Sequence, residues 1–145
     1  MEEDRPIQGL GEIALRVRDL ETMTSFYRDV VGLELMDAGD GWVFFRIADG
    51  VEGHTQVVGL FGPGREPYGA EGRSGIQPRV AASTLHHLAL AISKDDLAAE
   101  KERLERLGLG VTTADHKRTQ WRSLYVNDLE GNVVEWVCYD PAVVN

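Results

Sequence analysis

Cysteine is almost missing from this chain: the single residue, Cys138, excludes an internal disulfide and a cysteine-rich zinc site. Long apolar runs are missing too. No stretch approaches the roughly 18 residues needed to span a bilayer, which argues against a membrane partner. The opening Met-Glu-Glu-Asp has neither the basic start nor the apolar core of a signal peptide. A soluble, cytoplasmic protein is expected. Positive charge is in deficit, with 15 Lys and Arg against 24 Asp and Glu and a formal net charge of −9. Such a body repels a phosphate backbone, which argues against nucleic acid as a partner. What is present is ordinary for a folded chain: 43% hydrophobic and 27% charged residues over 145 positions. That suits one domain, or two half-size modules sharing a core.

The chain repeats itself. Glu12-Ile13-Ala14-Leu15-Arg16-Val17 and His87-Leu88-Ala89-Leu90-Ala91-Ile92 are similar, and each runs into an acidic turn and a helix-patterned segment. Residues 10–18 alternate as a half-buried strand does. Asp19 sits where an N-cap belongs, Met23, Phe26, Tyr27, Val30 and Val31 follow at helical spacing, and Gly32 is a natural stop. Short strands are predicted at 33–37, 42–48 and 54–61. The segment 62–83, rich in Gly, Pro and Arg and longer than ordinary connections, reads as either the join between units or a lid over a site. In the second unit a strand over 85–92 precedes Ser93-Lys94-Asp95-Asp96, which has the spacing of a capping box. Leu97, Leu104 and Leu107 mark a helix ended by Gly108 and Gly110. Strands follow at 111–114, 123–127 and 132–139, the last two joined by a hairpin at 128–132. The order βαβββ, twice, is an α+β class, with module one at 8–62 and module two at 84–140.

Strand parity decides which side chains share a surface. If Ile13, Leu15 and Val17 pack on the first helix, Glu12, Ala14 and Arg16 face away from it. If Leu88, Leu90 and Ile92 pack on the second, His87, Ala89 and Ala91 face away. His86 then points the other way and is excluded as a ligand. Glu135 lies amid apolar residues, where an unpaired charge costs several kcal/mol, so it needs a partner. A divalent cation held with His87 and Glu12 supplies one. Gln56, sharing parity with His54 and Val58, offers a fourth ligand, and His54 a less fitting substitute. Tyr125 and Ser123 are expected on the cavity side of their strand. His116, Arg118 and Trp121 fall in an irregular stretch before it, at the cavity rim.

Three motifs resemble a known family. Glu12-x-x-Leu15-x-Val17-x-Asp19-Leu20-Glu21 with Phe26-Tyr27-Arg28-Asp29-Val30-Val31-Gly32-Leu33 resembles the opening of the vicinal oxygen chelate superfamily. His86-His87-Leu88-Ala89-Leu90 resembles its second-module opening. The stretch 125–135 resembles its closing Asp-Pro-x-Gly-Asn-x-x-Glu signature, with Leu129 in place of the proline. The resemblance implies paired βαβββ modules whose sheets curl around a metal site and a central cavity. It also implies a small-molecule substrate with adjacent oxygens and a homodimer. Carried over by position, the ligands are Glu12, His87, Glu135 and Gln56, with Glu135 or Glu12 as catalytic base. Most members have His where this chain has Glu12.

One His with two carboxylates is a harder set than the two-His-one-carboxylate arrangement of oxygen-activating iron. It suits Mn, Mg, Ni, Co or Zn better than Fe. Isomerase or lyase chemistry is therefore favoured over an extradiol-type dioxygenase. The rival from another class is a metal-free protein that sequesters a small molecule such as an antibiotic. Replacing Glu12 by His is expected to tighten Fe(II) or Zn(II) in a metal titration. An unchanged metal preference would remove Glu12 from the ligand set.

Overall fold

Among the described residues, the alternating segments found in the sequence become eight strands in two sheets. The structure, a computed structural model, describes residues 8–65 and 85–144; most of the predicted join or lid lies outside the described residues. Two compact units divide the chain, 1–71 and 72–145. In the first, β1 (Glu12–Arg16), β2 (Glu34–Gly39), β3 (Trp42–Asp49) and β4 (Thr55–Phe61) form one four-stranded sheet, ordered β1-β4-β3-β2. In the second, β5 (Leu88–Ala91), β6 (Thr112–His116), β7 (Trp121–Asn127) and β8 (Val133–Tyr139) form another, ordered β5-β8-β7-β6. In each sheet the first strand runs parallel to the last, and all other pairs are antiparallel. The architecture is α+β, with two mixed sheets and few helices. No helix among the described residues is long and apolar enough to cross a membrane.

Helix α1 (Leu20–Ser25) starts as its sequence requires: Asp19 accepts the Thr22 amide at 3.1 Å and the Thr22 hydroxyl at 2.7 Å. These bonds hold the Asp19 carboxyl below its ordinary pKa, the amide contributing most. The helix then widens into a π-helical stretch over Phe26–Val31 rather than continuing as the α-helix its periodicity predicts. Gly32, at φ 86°, ends it in the left-handed region that only glycine occupies freely. Met23, Phe26 and Tyr27 are buried with Phe45, Val58 and Leu60 in the core of this unit.

The second unit departs from its predicted cap. Ser93 makes no side-chain cap bond, because the Asp96 amide it would have capped donates to the Ser93 carbonyl at 3.0 Å. A 3-10 turn over Lys94–Asp96 results, and α2 (Leu97–Arg106) begins after it. Leu97 and Leu104 are buried, whereas Leu107 lies beyond the helix and is exposed, contrary to its place in the predicted stripe. Leu88, Leu90, Leu124, Val126, Val134, Trp136 and Cys138 form the rest of this core.

One turn fixes the register of the second sheet. Asp128, buried, accepts the Glu130 and Asn132 amides through Oδ1 and the Asn132 side-chain amide through Oδ2, each at 2.9 Å. Gly131 completes the turn at φ 85°. Asn127 then pairs with Val133, and every residue of β8 follows in step. Asp128→Ala is expected to cost about 2–4 kcal/mol in urea unfolding, since three bonds to a carboxylate are lost and their donors stranded. A loss below about 0.5 kcal/mol would mean that the strands set the register without the turn.

Candidate functional site

The Asp128 turn and the β7–β8 pairing put Glu135 in one row across the second sheet. Ala89 pairs with Glu135, Glu135 with Tyr125, and Tyr125 with Thr112. The next row reads Ala91, Val137, Ser123 and Ala114. This face is opposite the one that Leu88, Leu90, Val134 and Trp136 present to the core. The small side chains of Ala89, Ala91 and Ala114 leave it low. Glu135 is nevertheless only 6% exposed.

Two imidazoles stand at one end of the row. His87 Nε2 lies 3.3 Å from Glu135 Oε2, with the His87 side chain partly open. His86, excluded as a ligand by strand parity, lies beside His87: its Nδ1 is 2.7 Å from His87 Nδ1. The contact between the neighbouring rings has a simple cause. Pairing with β8 begins at Leu88, so no ladder imposes alternation on residues 86 and 87.

Tyr125 occupies the other side of Glu135. Its hydroxyl is 2.8 Å from His116 Nε2. Burial and then the Glu135 carboxylate push the Tyr125 phenol above its ordinary pKa, while the Ser123 hydroxyl works the other way. Ser123 Oγ is buried and makes no hydrogen bond of good geometry. His116 and Trp121 are not in an irregular rim, as the sequence suggested. They are facing residues at the ends of β6 and β7, with Arg118 in the turn between them.

In the first unit Glu12 pairs with Val57 and shares its face with Ala14 and Arg16, as parity required. A Cβ on Gly59 would stand 3.0 Å from the Glu12 Oε1 and 3.1 Å from ring carbons of Phe44 and Phe61. Only glycine leaves the carboxylate that path. Gln56 alternates with Val57 and so falls on the face opposite Glu12, and its amide donates to the Asp49 carbonyl at 3.3 Å. That corrects the shared surface on which its ligand role depended. His54 is exposed, its ring packed beside Gly11.

The family model described as Glyoxalase/Bleomycin resistance protein/Dioxygenase superfamily matches residues 9–136. The chain belongs to that superfamily. Among solved structures it is similar to lactoylglutathione lyase from Agrobacterium tumefaciens, 28% identical at a TM-score of 0.68, covering 92% of this chain and 96% of that one. An integron cassette protein from the mobile metagenome of the Halifax Harbour sewage outfall is 24% identical at 0.65, over 91% and 99% of the two chains. The fosfomycin resistance protein FosX from Listeria monocytogenes, complexed with Mn(II) and sulfate, is 20% identical at 0.63, over 93% of each. The last two likenesses show the fold alone. No curated protein matches.

Members of the glyoxalase/dioxygenase superfamily generally use a divalent metal, and the His87–Glu135 pair fits one. Two ligands bound to one ion at about 2.0–2.2 Å sit roughly 3.0–3.5 Å apart at octahedral or tetrahedral angles. The observed 3.3 Å lies in that range. It is longer than the roughly 2.7–2.9 Å of a good charge-assisted hydrogen bond. Among the described residues, no group of three or more His, Cys, Asp or Glu side chains is arranged to hold a metal ion.

The raised Tyr125 pKa makes a direct expectation. Because the neutral phenol is favoured, phenolate absorbance should appear only above the ordinary tyrosine range. Glu135→Gln should lower the midpoint without abolishing the shift, since burial is the larger cause. A midpoint unmoved by Glu135→Gln would show that the two groups do not interact.

Proposed function

We propose that this protein is a metal-dependent enzyme acting on a small substrate with two neighbouring oxygens, by isomerase or lyase chemistry. The observation that carries the reading is Glu135: a carboxylate 6% exposed, on a sheet face among small residues, with an imidazole nitrogen 3.3 Å away. His87 and Glu135 would hold the ion. A bound divalent ion (Mn, Mg, Ni, Co or Zn) supplies Lewis acidity toward adjacent substrate oxygens.

The chain's own residues divide the remaining work. Tyr125, a neutral phenol through the physiological range as any tyrosine is, faces Glu135 and would offer a hydrogen bond to a substrate oxygen. His116 fixes that hydroxyl in direction through the 2.8 Å contact. A carboxylate acts as base for a proton next to the carbonyl; Glu12, exposed and lying over Gly59, has more freedom for this than buried Glu135. Arg16 shares the Glu12 face and would attract an anionic substrate. Trp121, 47% exposed on the Tyr125 face, would contact its apolar part. The protein would work in the cytoplasm as a homodimer, the second point by family resemblance.

A metal-free sequestering protein is the alternative, favoured because, among the described residues, no third ligand-type side chain joins His87 and Glu135. Calorimetric titration with Mn(II) separates the two. The enzyme reading expects about one ion per chain, no binding by Glu135→Ala, and a smaller loss for Glu12→Gln. Unchanged stoichiometry in Glu135→Ala would overturn the metal assignment. Glu12→Gln binding as tightly as the parent chain would remove Glu12 from it.

A further inference from the structure

The face of the first sheet that carries Glu12 also carries three aromatic rings. Register fixes their rows. Arg16, Phe61, Trp42 and Gly39 stand abreast in one, and Ala14, Gly59, Phe44 and Asp37 in the next. Val43, Phe45, Val58 and Leu60 fill the core from the opposite face, so these three rings play no part in it. Trp42, Phe44 and Phe61 are each half-buried and adjoin one another, with centroids 4.9 Å apart for Trp42–Phe44 and 5.9 Å for Phe44–Phe61. Two glycines set how they lie. A Cβ on Gly39 would overlap the Trp42 indole, with three adjacent ring atoms almost equidistant from it. The indole therefore covers that glycine face-on and turns its second face away from the sheet. A Cβ on Gly59 would press on ring carbons of both Phe44 and Phe61 at 3.1 Å. Glycine weakens a strand interior and often marks a close approach; here it lets the rings settle against the backbone.

We infer that Trp42, Phe44 and Phe61 form a stacking platform for a planar aromatic ring of a small molecule. Aromatic rings attract one another in offset-stacked and edge-to-face arrangements, beyond what their buried area supplies. An indole laid flat on the sheet offers the first of these to a ligand. Size decides the kind of occupant. The platform spans two neighbouring strands and two rows, roughly 5 by 7 Å between Cα positions, which suits one ring or two fused rings. Charge decides it further. Arg16, Asp37, Glu12, Arg46 and Glu34 stand around the platform on the same face. A protein partner lying flat here would desolvate several of them at once, whereas the centre of a protein interface is depleted in charge. A small ring covers the aromatic side chains alone. The inference rests on the metal reading only in calling this ligand the substrate; the platform belongs to the first sheet and needs no ion.

The test compares 2-naphthol with decahydro-2-naphthol, which has the same skeleton and hydroxyl but no flat π-system. Both are titrated into the chelator-treated full chain and followed in proton–nitrogen spectra. By buried area alone the saturated compound should bind at least as well. The expected result is that 2-naphthol shifts the Trp42 indole and Gly59 amide signals and binds roughly tenfold more tightly. Trp42→Leu should abolish that preference, and Trp42→Phe, which restores a flat ring, should keep most of it. Equal binding of the two compounds, shifts confined to signals outside the first sheet, or a preference retained in Trp42→Leu overturns the inference. So does a 2-naphthol titration without shifts together with a Trp42→Leu chain of altered oligomeric state, since the face would then be covered by a second copy. Because no metal is present, a failed Mn(II) titration leaves the platform standing, and a failed platform leaves the His87–Glu135 pair untouched.

Discussion

A carboxylate placed on an apolar sheet with almost no solvent around it is unfavourable unless another group compensates for the lost hydration. Glu135 is in that position, and the surrounding features of the second sheet follow from it. Ala89 and Ala91 leave the space above their strand low, His87 approaches within 3.3 Å, and Tyr125 faces the carboxylate from the adjacent strand. Each neighbour responds to the charge. The Tyr125 pKa is raised partly by it, and His87 offers it a nitrogen. Truncating Glu135 would thus leave the residues around it arranged for a charge that is gone.

Placement of that carboxylate depends on a turn three residues earlier. A strand shifted by a single position would exchange Glu135 for Val134 or Trp136 on the face. The Asp128 side chain prevents the slip by binding the amides of Glu130 and Asn132. The closing motif of the sequence is therefore two devices in series, a register lock and the group it delivers. Leu129, in the place where the family usually has proline, is 59% exposed and makes no demand on the turn. The first sheet has the same strand order and uses Gly59 to clear a path for the Glu12 side chain.

Much of this was legible because a half-buried strand writes its orientation in every second residue. The α+β class, the order of the strands, the burial of Leu88 and Leu90 against Ala89 and Ala91, and the common face of Glu135, Tyr125 and Ser123 all follow from that period. Strand ends were not legible, because a distant partner decides them. β5 begins only where Val134 is available to pair, which frees the His86 ring to approach His87; β6 continues to His116 because Trp121 pairs with it. Gln56 was misread because its own parity was right but the face of its neighbour was set by the Glu12–Val57 pairing. At Ser93 the backbone carbonyl competed successfully with the hydroxyl for one amide. The π-helical stretch at Phe26–Val31 has no distinct signal in an apolar period that serves either helix. The doublet His86-His87 was the available signal for the second imidazole.

The His87–Glu135 pair as a metal anchor is the claim on which the chemistry turns. Anomalous diffraction from crystals of the protein soaked in Mn(II) or Zn(II) tests it most directly. The account predicts a peak within bonding distance of both His87 Nε2 and Glu135 Oε2, at about 2.0–2.2 Å. A well-occupied ion elsewhere on the protein, with these two atoms still facing each other and no density between them, would contradict it.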